Sequence, residues 1–207
     1  MKVIKSATLD AIEAIDVEVE ASMTKGLPSF SIVGLITTEI SESRDRVKSA
    51  LLTNDYKFPP KKITINLSPS NINKYGTHFD LPIALLIALY EEKFDFDDFY
   101  IFGELGLDGT TKDTSSIFPL ILSLSKLNPN MKVLIPKKAS QEIAMIPNIK
   151  VYSVETLTQA MEFFSFKNYE QKRVQNSKIS CEMFEIDNKK YFYNKEYNLN
   201  FHDVKGQ

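Results

Sequence analysis

The chain has 207 residues, 43% hydrophobic and 25% charged, which is enough apolar material for one well-buried core and a small appendage. Its formal net charge of −2 argues against a globally basic nucleic-acid-binding protein but leaves a local basic face open. The single cysteine, Cys181, excludes an internal disulfide, and the two isolated histidines form no cluster for a structural zinc. Since no secretory signal or membrane-length apolar stretch is present, we expect a cytoplasmic protein with no membrane partner.

The first half of the chain is predicted to be hairpin-like. Alternating apolar and polar residues indicate strands with one solvent-facing side, and apolar residues at helical spacing after Thr37 or Thr38 indicate a capped helix. The expected elements are strands at residues 15–21, 29–33 and 63–67 and a helix at residues 37–54. Because turn-forming residues 26–28 separate the first two strands, we expect these strands to form a β-meander.

The second half of the chain alternates between helix and strand patterns. Asp80 is expected to cap a helix that is apolar on every side, and the glycines of residues 103–109 predict a hairpin turn. The other expected elements are strands at residues 100–102, 132–135 and 150–153 and helices at residues 119–127, 139–145 and 157–164. Strands separated by such helices indicate βαβ units, so the predicted fold class is α/β with a mixed sheet and packed helices, with α+β character in the first half.

The composition changes after Phe166, where Asn, Lys, Gln and Glu become frequent and apolar residues scatter. We therefore predict a folded domain over residues 1–166 and a linker-like tail over residues 167–207. Within the tail, residues 183–193 predict a hairpin with Asp187 and Asn188 at its turn.

Five motifs along the chain carry a family resemblance. They are Gly26–Leu35, Glu42–Leu51, Ile65–Pro69, Phe79–Leu85 and Gly103–Gly109. In this order they resemble the amino-terminal region of the ComM (YifB) family of Mg-chelatase-like (ChlI-like) AAA+ ATPases. The resemblance covers residues 1–166 and implies structural roles for the motif residues Gly34, Asn66, Asp80, Gly103, Glu104 and Gly109.

The resemblance also implies a fold and a function. The fold would be similar to the Lon protease domain and the related ribosomal protein S5 domain. Full-length relatives are understood as hexameric DNA helicases that promote branch migration during natural transformation, with ATP and Mg bound by an AAA+ module. Residues 201–207 look like the entry into that module, which we expect to lie outside this chain. No phosphate-binding loop occurs here, so we expect no cofactor in this chain, and its partners would be its own AAA+ module and neighbouring protomers.

A Lon-like fold raises the alternative of a peptidase with a Ser/Lys dyad. The turn where the serine is expected contains Thr77 and His78 but no serine, and no lysine occupies residues 116–119. His78 as a general base and Glu104 as a functional carboxylate are weaker interpretations than a loop histidine and an interface or hairpin carboxylate. We therefore expect this chain not to be an enzyme.

Arg44, Arg46 and Lys48 form the most distinctive polar cluster on the first predicted helix. Positions 44 and 48 share one helix face, which suits either an acidic protein surface or a phosphate. Pairing within the helix, such as Glu42 with Arg46, would leave only a solvated face. A protein interface, direct DNA contact and local pairing therefore stay open as alternatives.

Overall fold

The computed structural model of the chain describes residues 2–92, 96, 98–175, 182–186 and 189–193. Its strands are β1 (Val3–Asp10), β2 (Glu13–Thr24), β3 (Ser29–Val33), β4 (Lys62–Ser68), β5 (Phe99–Ile101), β6 (Glu104–Leu105), β7 (Thr111–Lys112), β8 (Lys132–Pro136), β9 (Lys150–Val154), β10 (Glu182–Ile186) and β11 (Lys189–Tyr193). Its helices are α1 (Thr38–Thr53), α2 (Asp80–Ala88), α3 (Ile117–Leu127), α4 (Ser140–Ile143) and α5 (Leu157–Ser165), with 3₁₀ turns at Lys137–Ala139 and Tyr169–Lys172. Each helix and strand expected between residues 15 and 164 has a counterpart at its place.

Seven strands form one mixed sheet in the order β3-β4-β2-β1-β5-β8-β9. β2 pairs antiparallel with both β1 and β4, whereas the β3–β4, β1–β5, β5–β8 and β8–β9 pairs are parallel. Helices pack on both faces of this sheet. The predicted mixed α/β class is confirmed, and the architecture is consistent with the Lon-like fold that the resemblance implies.

The expected β-meander at residues 15–33 is wrong. β3 pairs in parallel with β4, and β4 lies between β3 and β2. A parallel pair requires a crossover connection, and α1 supplies it between β3 and β4. The turn at residues 26–28 therefore carries the chain past one strand position instead of closing a hairpin.

β1 is a strand that the sequence pattern did not indicate. It lies in the middle of the sheet, between β2 and β5. Ile4 is buried in the hydrophobic layer on one face and Ala7 in the layer on the other, while Ser6 and Thr8 are buried polar side chains. A strand covered on both faces and interrupted by hydroxyl groups lacks the one-sided alternation that marks β2.

Two hydrophobic layers cover the sheet, one on each face. α1, α2 and α5 belong to one layer, and α3 and α4 belong to the other. Successive residues of β8 alternate between them, with Leu134 in the first layer and Val133 and Ile135 in the second. α2 is buried along its length except at Ala88, as its uniformly apolar sequence predicts.

The structure divides into two units, Met1–Gln175 and Asn176–Gln207. In the first unit, the ring of Tyr169 lies 4.7 Å from that of Phe163, and the N–H of Val174 donates to the carbonyl of Val151 at 2.8 Å. In the second unit, β10 and β11 pair antiparallel as the predicted hairpin requires, and the expected turn residues 187 and 188 lie outside the described residues. The domain assignment to residues 1–166 and 167–207 stays a prediction.

Substitution of Phe99 tests how much the aromatic core contributes to stability. Its ring is fully buried and lies 5.2 Å from Tyr152 and 5.3 Å from Phe163. Phe99→Ala should lower the free energy of unfolding by about 3–5 kcal/mol, because it leaves a cavity among aromatic rings. Urea denaturation measures this loss. The matched control Phe166→Ala removes a ring that is 68% exposed and should cost about 0.5 kcal/mol or less. Equal losses in the two variants would contradict the assignment of the core.

Candidate functional site

A buried ion pair joins α1 to the start of α2. Arg46 donates from Nε to Oδ2 of Asp80 at 2.7 Å and from Nη2 to Oδ1 at 3.1 Å. The Arg46 side chain is 19% exposed, whereas that of Asp80 is fully buried. This two-point geometry is the strong form of an arginine–carboxylate contact, and here it fixes one helix against the other.

Asp80 also binds the hairpin that follows β5. Its Oδ2 accepts the backbone N–H of Leu105 at 3.2 Å, so one carboxylate contacts α1, α2 and β6. The predicted N-cap role of Asp80 is wrong, since Phe79 precedes the helix, Asp80 is its first residue, and no side chain caps it. The carboxylate makes contacts with other elements instead of capping the end of its own helix.

The environment shifts the pKa of both partners. Burial raises the pKa of Asp80 above its ordinary value, while the hydrogen bonds from Arg46, Ser43 and Leu105 act in the opposite direction. The hydrogen bond to Asp80 raises the pKa of Arg46. Arg46 has further acceptors in the Ser43 hydroxyl and the Glu39 carbonyl, both 3.0 Å from Nη2. Its guanidinium is therefore already occupied by its own chain.

Thr77 and Glu104 contact each other beside the buried joint formed by Arg46, Asp80 and Leu105. The Thr77 hydroxyl donates to Oε2 of Glu104, so the carboxylate holds the turn that precedes α2. The same turn is tied by the backbone, because Gly103 N–H donates to the His78 carbonyl and Leu81 N–H donates to the Gly103 carbonyl, each at 2.9 Å. Glu104 therefore lies at the contact between the hairpin and the turn. The Thr77 hydroxyl is hydrogen-bonded to Glu104 and not to the ring of His78.

His78 is a buried, satisfied histidine. Its Nε2–H donates to the carbonyl of Ala7 at 2.9 Å, which leaves Nδ1 to accept from the Ser116 hydroxyl at 3.1 Å. Burial lowers the pKa of His78 to about 4, against the opposing effect of the Ala7 carbonyl. An imidazole with this pKa is neutral at pH 7 but a weak base. The contacts therefore link the turn to β1 and to the start of α3.

The other two cations of the predicted cluster, Arg44 and Lys48, make no ion pair with Asp80. Arg44 has a side chain that is 48% exposed and lies 3.6 Å from the carboxylate of the adjacent Asp45. Lys48 lies 5.9 Å from the centre of the Phe58 ring. The expected pairing of Glu42 with Arg46 is present at 3.8 Å. The structure thus separates Arg46, which is internal, from Arg44 and Lys48, which stay at the surface of α1.

Two of the motif glycines occupy positions that exclude a side chain. Gly34 has φ +120°, and a Cβ there would lie 2.8 Å from the carbonyl oxygen of Leu67. Gly109 has φ +86°, and a Cβ there would lie 2.2 Å from Nδ2 of Asn54. Asn66 acts by its side chain, donating to Glu20 and Ser68 at 2.9 Å each. These motif residues serve close packing between segments.

The burial of Lys74 was not predicted from the sequence. Its side chain is fully buried, and its Nζ donates to the carbonyls of Pro69 and Ile72, the latter at 2.8 Å. Burial lowers its pKa. A lysine in a polar loop gives no sequence signal for burial, because the acceptors are backbone carbonyls that any residue supplies.

In the part of the chain that the structure describes, no group of three or more His, Cys, Asp or Glu side chains is arranged to hold a metal ion. No helix in the same residues is long and apolar enough to cross a membrane.

Comparison with known proteins identifies the family. A family model described as subunit ChlI of Mg-chelatase matches residues 19–139, which is more than half of the chain. The chain belongs to this family of Mg-chelatase ChlI subunits. The match includes Arg46, Asp80 and Leu105, the three residues of the buried joint, so this joint lies inside the part of the chain that defines the ChlI family.

ComM and YifB proteins are among the relatives of this ChlI-family chain. It is 30% identical to competence protein ComM of Haemophilus influenzae, in an alignment covering 80% of this chain and 33% of that protein. It is 33% identical to YifB of Escherichia coli over 65% of this chain and 27% of that protein. For YifB of Salmonella typhimurium the values are 38%, 49% and 21%. The chain therefore spans between about a fifth and a third of these relatives.

Arg46→Ala should destabilise the ChlI-family fold by about 3–5 kcal/mol near neutral pH, because it leaves the buried carboxylate of Asp80 unpaired. Without Arg46, only the hydrogen bonds from Ser43 and Leu105 oppose the burial that raises the pKa of Asp80. A carboxyl group whose folded pKa lies above the unfolded value destabilises the fold as pH rises, so the loss should be smaller at about pH 5 than at about pH 8. Urea titrations at both pH values measure this difference.

Arg44→Ala is the matched control for this experiment. It removes a neighbouring arginine on the same helix whose ion pair is exposed, and it should cost about 1 kcal/mol or less. Equal losses for the two variants, or a loss for Arg46→Ala that does not change with pH, would contradict the role of the buried pair.

His78 should make the fold less stable in mild acid. The unfolded chain takes up this proton at about pH 6.5, whereas the folded chain does so only near pH 4. Stability should therefore fall as pH drops between these values, by up to about 3 kcal/mol, since one pKa unit is about 1.4 kcal/mol. His78→Gln should flatten this slope, and denaturation of both proteins across that range tests it. Parallel slopes, or a titration of His78 near pH 6.5 by NMR, would disprove the prediction.

Proposed function

We propose that this chain is the non-catalytic amino-terminal accessory domain of a Mg-chelatase-like AAA+ ATPase of the ComM type. The observation that carries the proposal is the ChlI-family match over residues 19–139, together with a likeness to competence protein ComM that spans a third of that protein. In this proposal the AAA+ module lies outside the chain and binds ATP and Mg. The complete protein acts in the cytoplasm as a hexameric DNA helicase in branch migration during natural transformation.

The arrangement of the turn before α2 supports a non-catalytic role. Thr77 donates its hydroxyl proton to Glu104, and His78 uses both ring nitrogens for contacts with Ala7 and Ser116. A peptidase that used Thr77 would need a base within hydrogen-bond reach of that hydroxyl. The Glu104 carboxylate is within this reach, but it lies in a hairpin that the backbone ties to the turn, and residues 116–119 contain no lysine for a Lon-like dyad. These contacts favour a structural joint over a Lon-like peptidase.

The surface of α1 supports an interaction role. Arg44 and Lys48 are one helical turn apart and lie at the surface, while the internal Arg46 is held by Asp80. An exposed pair of cations on a helix anchored by a buried ion pair forms a rigid basic face. Such a face suits an acidic surface of the AAA+ module or of a neighbouring protomer.

Deletion of residues 1–175 from the complete protein tests the proposal. We expect the shortened protein to show altered hexamer formation by gel filtration and at least one altered activity, in ATP hydrolysis or in unwinding of branched DNA. Arg44→Ala with Lys48→Ala should weaken the same property without unfolding the domain, because both side chains are exposed. Unchanged assembly, ATP hydrolysis and unwinding after the deletion would disprove an accessory role.

Direct DNA binding is the second candidate, favoured by the exposure of the same two cations. With Arg46 occupied, this face offers two phosphate contacts, so the logarithm of the affinity for single-stranded DNA should fall with the logarithm of salt with a slope of about −1.4. Fluorescence anisotropy across salt concentrations measures this slope. The Arg44→Ala, Lys48→Ala double variant should flatten it, whereas Lys25→Ala, at another exposed lysine, should not. Absence of salt-sensitive binding would exclude this candidate.

A further inference from the structure

A polar cleft of about 530 Å³ lies at the carboxyl ends of β8 and β9. Lys137 and Gln141, which follow β8, form one side of the cleft. The other side begins with Ser153 and Glu155 at the end of β9, and the cleft also includes Lys172. A volume of this size is typical of small-molecule sites. The cleft is separate from the joint of Arg46 and Asp80 described above.

The topology of the sheet creates this cleft. β8 and β9 are parallel neighbours, so their carboxyl ends lie at the same edge of the sheet. The chain leaves β8 toward α4, which packs in the layer with α3, and leaves β9 toward α5, which packs in the opposite layer with α2. The two connections therefore diverge to opposite faces. In open α/β sheets, such a divergence opens a crevice at the carboxyl ends of the strands, and this is where ligands bind.

Two of the three cations that line the cleft, Lys137 and Lys172, have no ion pair within the described residues. Arg173 lines the cleft but pairs with Glu170 at 3.3 Å, so these two charges offset each other. Lys172 donates from Nζ to Oε1 of Gln159 at 3.2 Å. Lys137 has an exposed ammonium group with no hydrogen bond or ion pair to the described residues. A phosphate is the dianionic group that lysines of this kind bind in small-molecule sites.

The rest of the lining suits hydroxyl groups more than an aromatic base. The Glu155 carboxylate has no side-chain hydrogen bond within the described residues, and glutamine amides supply both donors and acceptors. None of the described residues that line the cleft is aromatic, so these residues offer no ring on which a nucleobase could stack. A carboxylate beside a phosphate-binding lysine matches the way acidic side chains accept hydrogen bonds from sugar hydroxyls.

We propose that the cleft between the carboxyl ends of β8 and β9 binds a small sugar phosphate, with its phosphate on Lys137 and Lys172 and its hydroxyl groups on Glu155. This assignment goes beyond the accessory function and does not depend on it, because it rests on residues 137–175 of this chain alone. Binding in a cleft between two secondary-structure connections would also stabilise the folded chain.

Calorimetric titration of the 207-residue chain with ribose 5-phosphate tests the proposal, with ribose and inorganic phosphate as the two halves of the probe. Saturable binding of ribose 5-phosphate is expected, tighter than that of either half. Lys137→Ala should weaken it by about tenfold or more, because a charged hydrogen bond to phosphate is lost. Lys138→Ala is the matched control, since it removes the next lysine, which does not line the cleft, and it should change the affinity by less than about twofold.

Further measurements separate the possible outcomes. Thermal midpoints without ligand should be equal for the two lysine variants, which shows that both fold. Glu155→Gln should weaken ribose 5-phosphate while leaving inorganic phosphate unchanged. No saturable binding of any probe up to about 10 mM would overturn the proposal. Equal weakening by Lys137→Ala and Lys138→Ala, or tighter binding of a single-stranded oligonucleotide that also depends on Lys137, would overturn it too, since either result indicates a phosphate-backbone surface.

Discussion

The buried carboxylate of Asp80 is the constraint on which the arrangement of the larger unit depends. A charge without solvent contact is tolerated only where partners replace its hydration, and these partners come from Arg46 on α1 and the N–H of Leu105 on β6. The pair therefore fixes α1, α2 and the hairpin after β5 together. If any one of these segments moved away, the others would face an unpaired charge, so the joint favours one packing of the helices over alternatives.

This joint also explains what the family motifs encode. Arg46, Asp80 and Leu105 belong to three of the five motifs that carry the resemblance, and Gly34 and Asn66, from two of the motifs, make close contacts with β4 and β2. The motif residues thus pack the layer that contains α1 and α2 against the sheet. They identify the family securely but say little about a reaction. The polar cleft beyond β8 and β9 involves none of these motif residues, since its lining lies within residues 137–175.

Sequence patterns predicted the elements better than their pairing. Alternation in β2 and the uniformly apolar α2 are local properties, so they could be read from a few residues. β1 gave no signal because Ser6 and Thr8 are polar yet buried, and β3 was assigned the wrong partner because strand pairing depends on the whole chain. At the site, spacing related Arg46 to Arg44 and Lys48 on its own helix. Nothing local indicated that Arg46 would turn inward to a carboxylate 34 residues away.

The central position of β1 has a consequence for synthesis of the protein. β1 can pair with β2 as soon as both have left the ribosome, but its other neighbour, β5, begins at Phe99. Until then one edge of β1 offers unpaired backbone groups to any extended segment nearby. Parallel pairing between segments so far apart is slow, because the intervening chain must first be ordered. The early strands and α1 can thus assemble during translation, while the half of the sheet that contains the polar cleft must wait for β5, β8 and β9 to emerge.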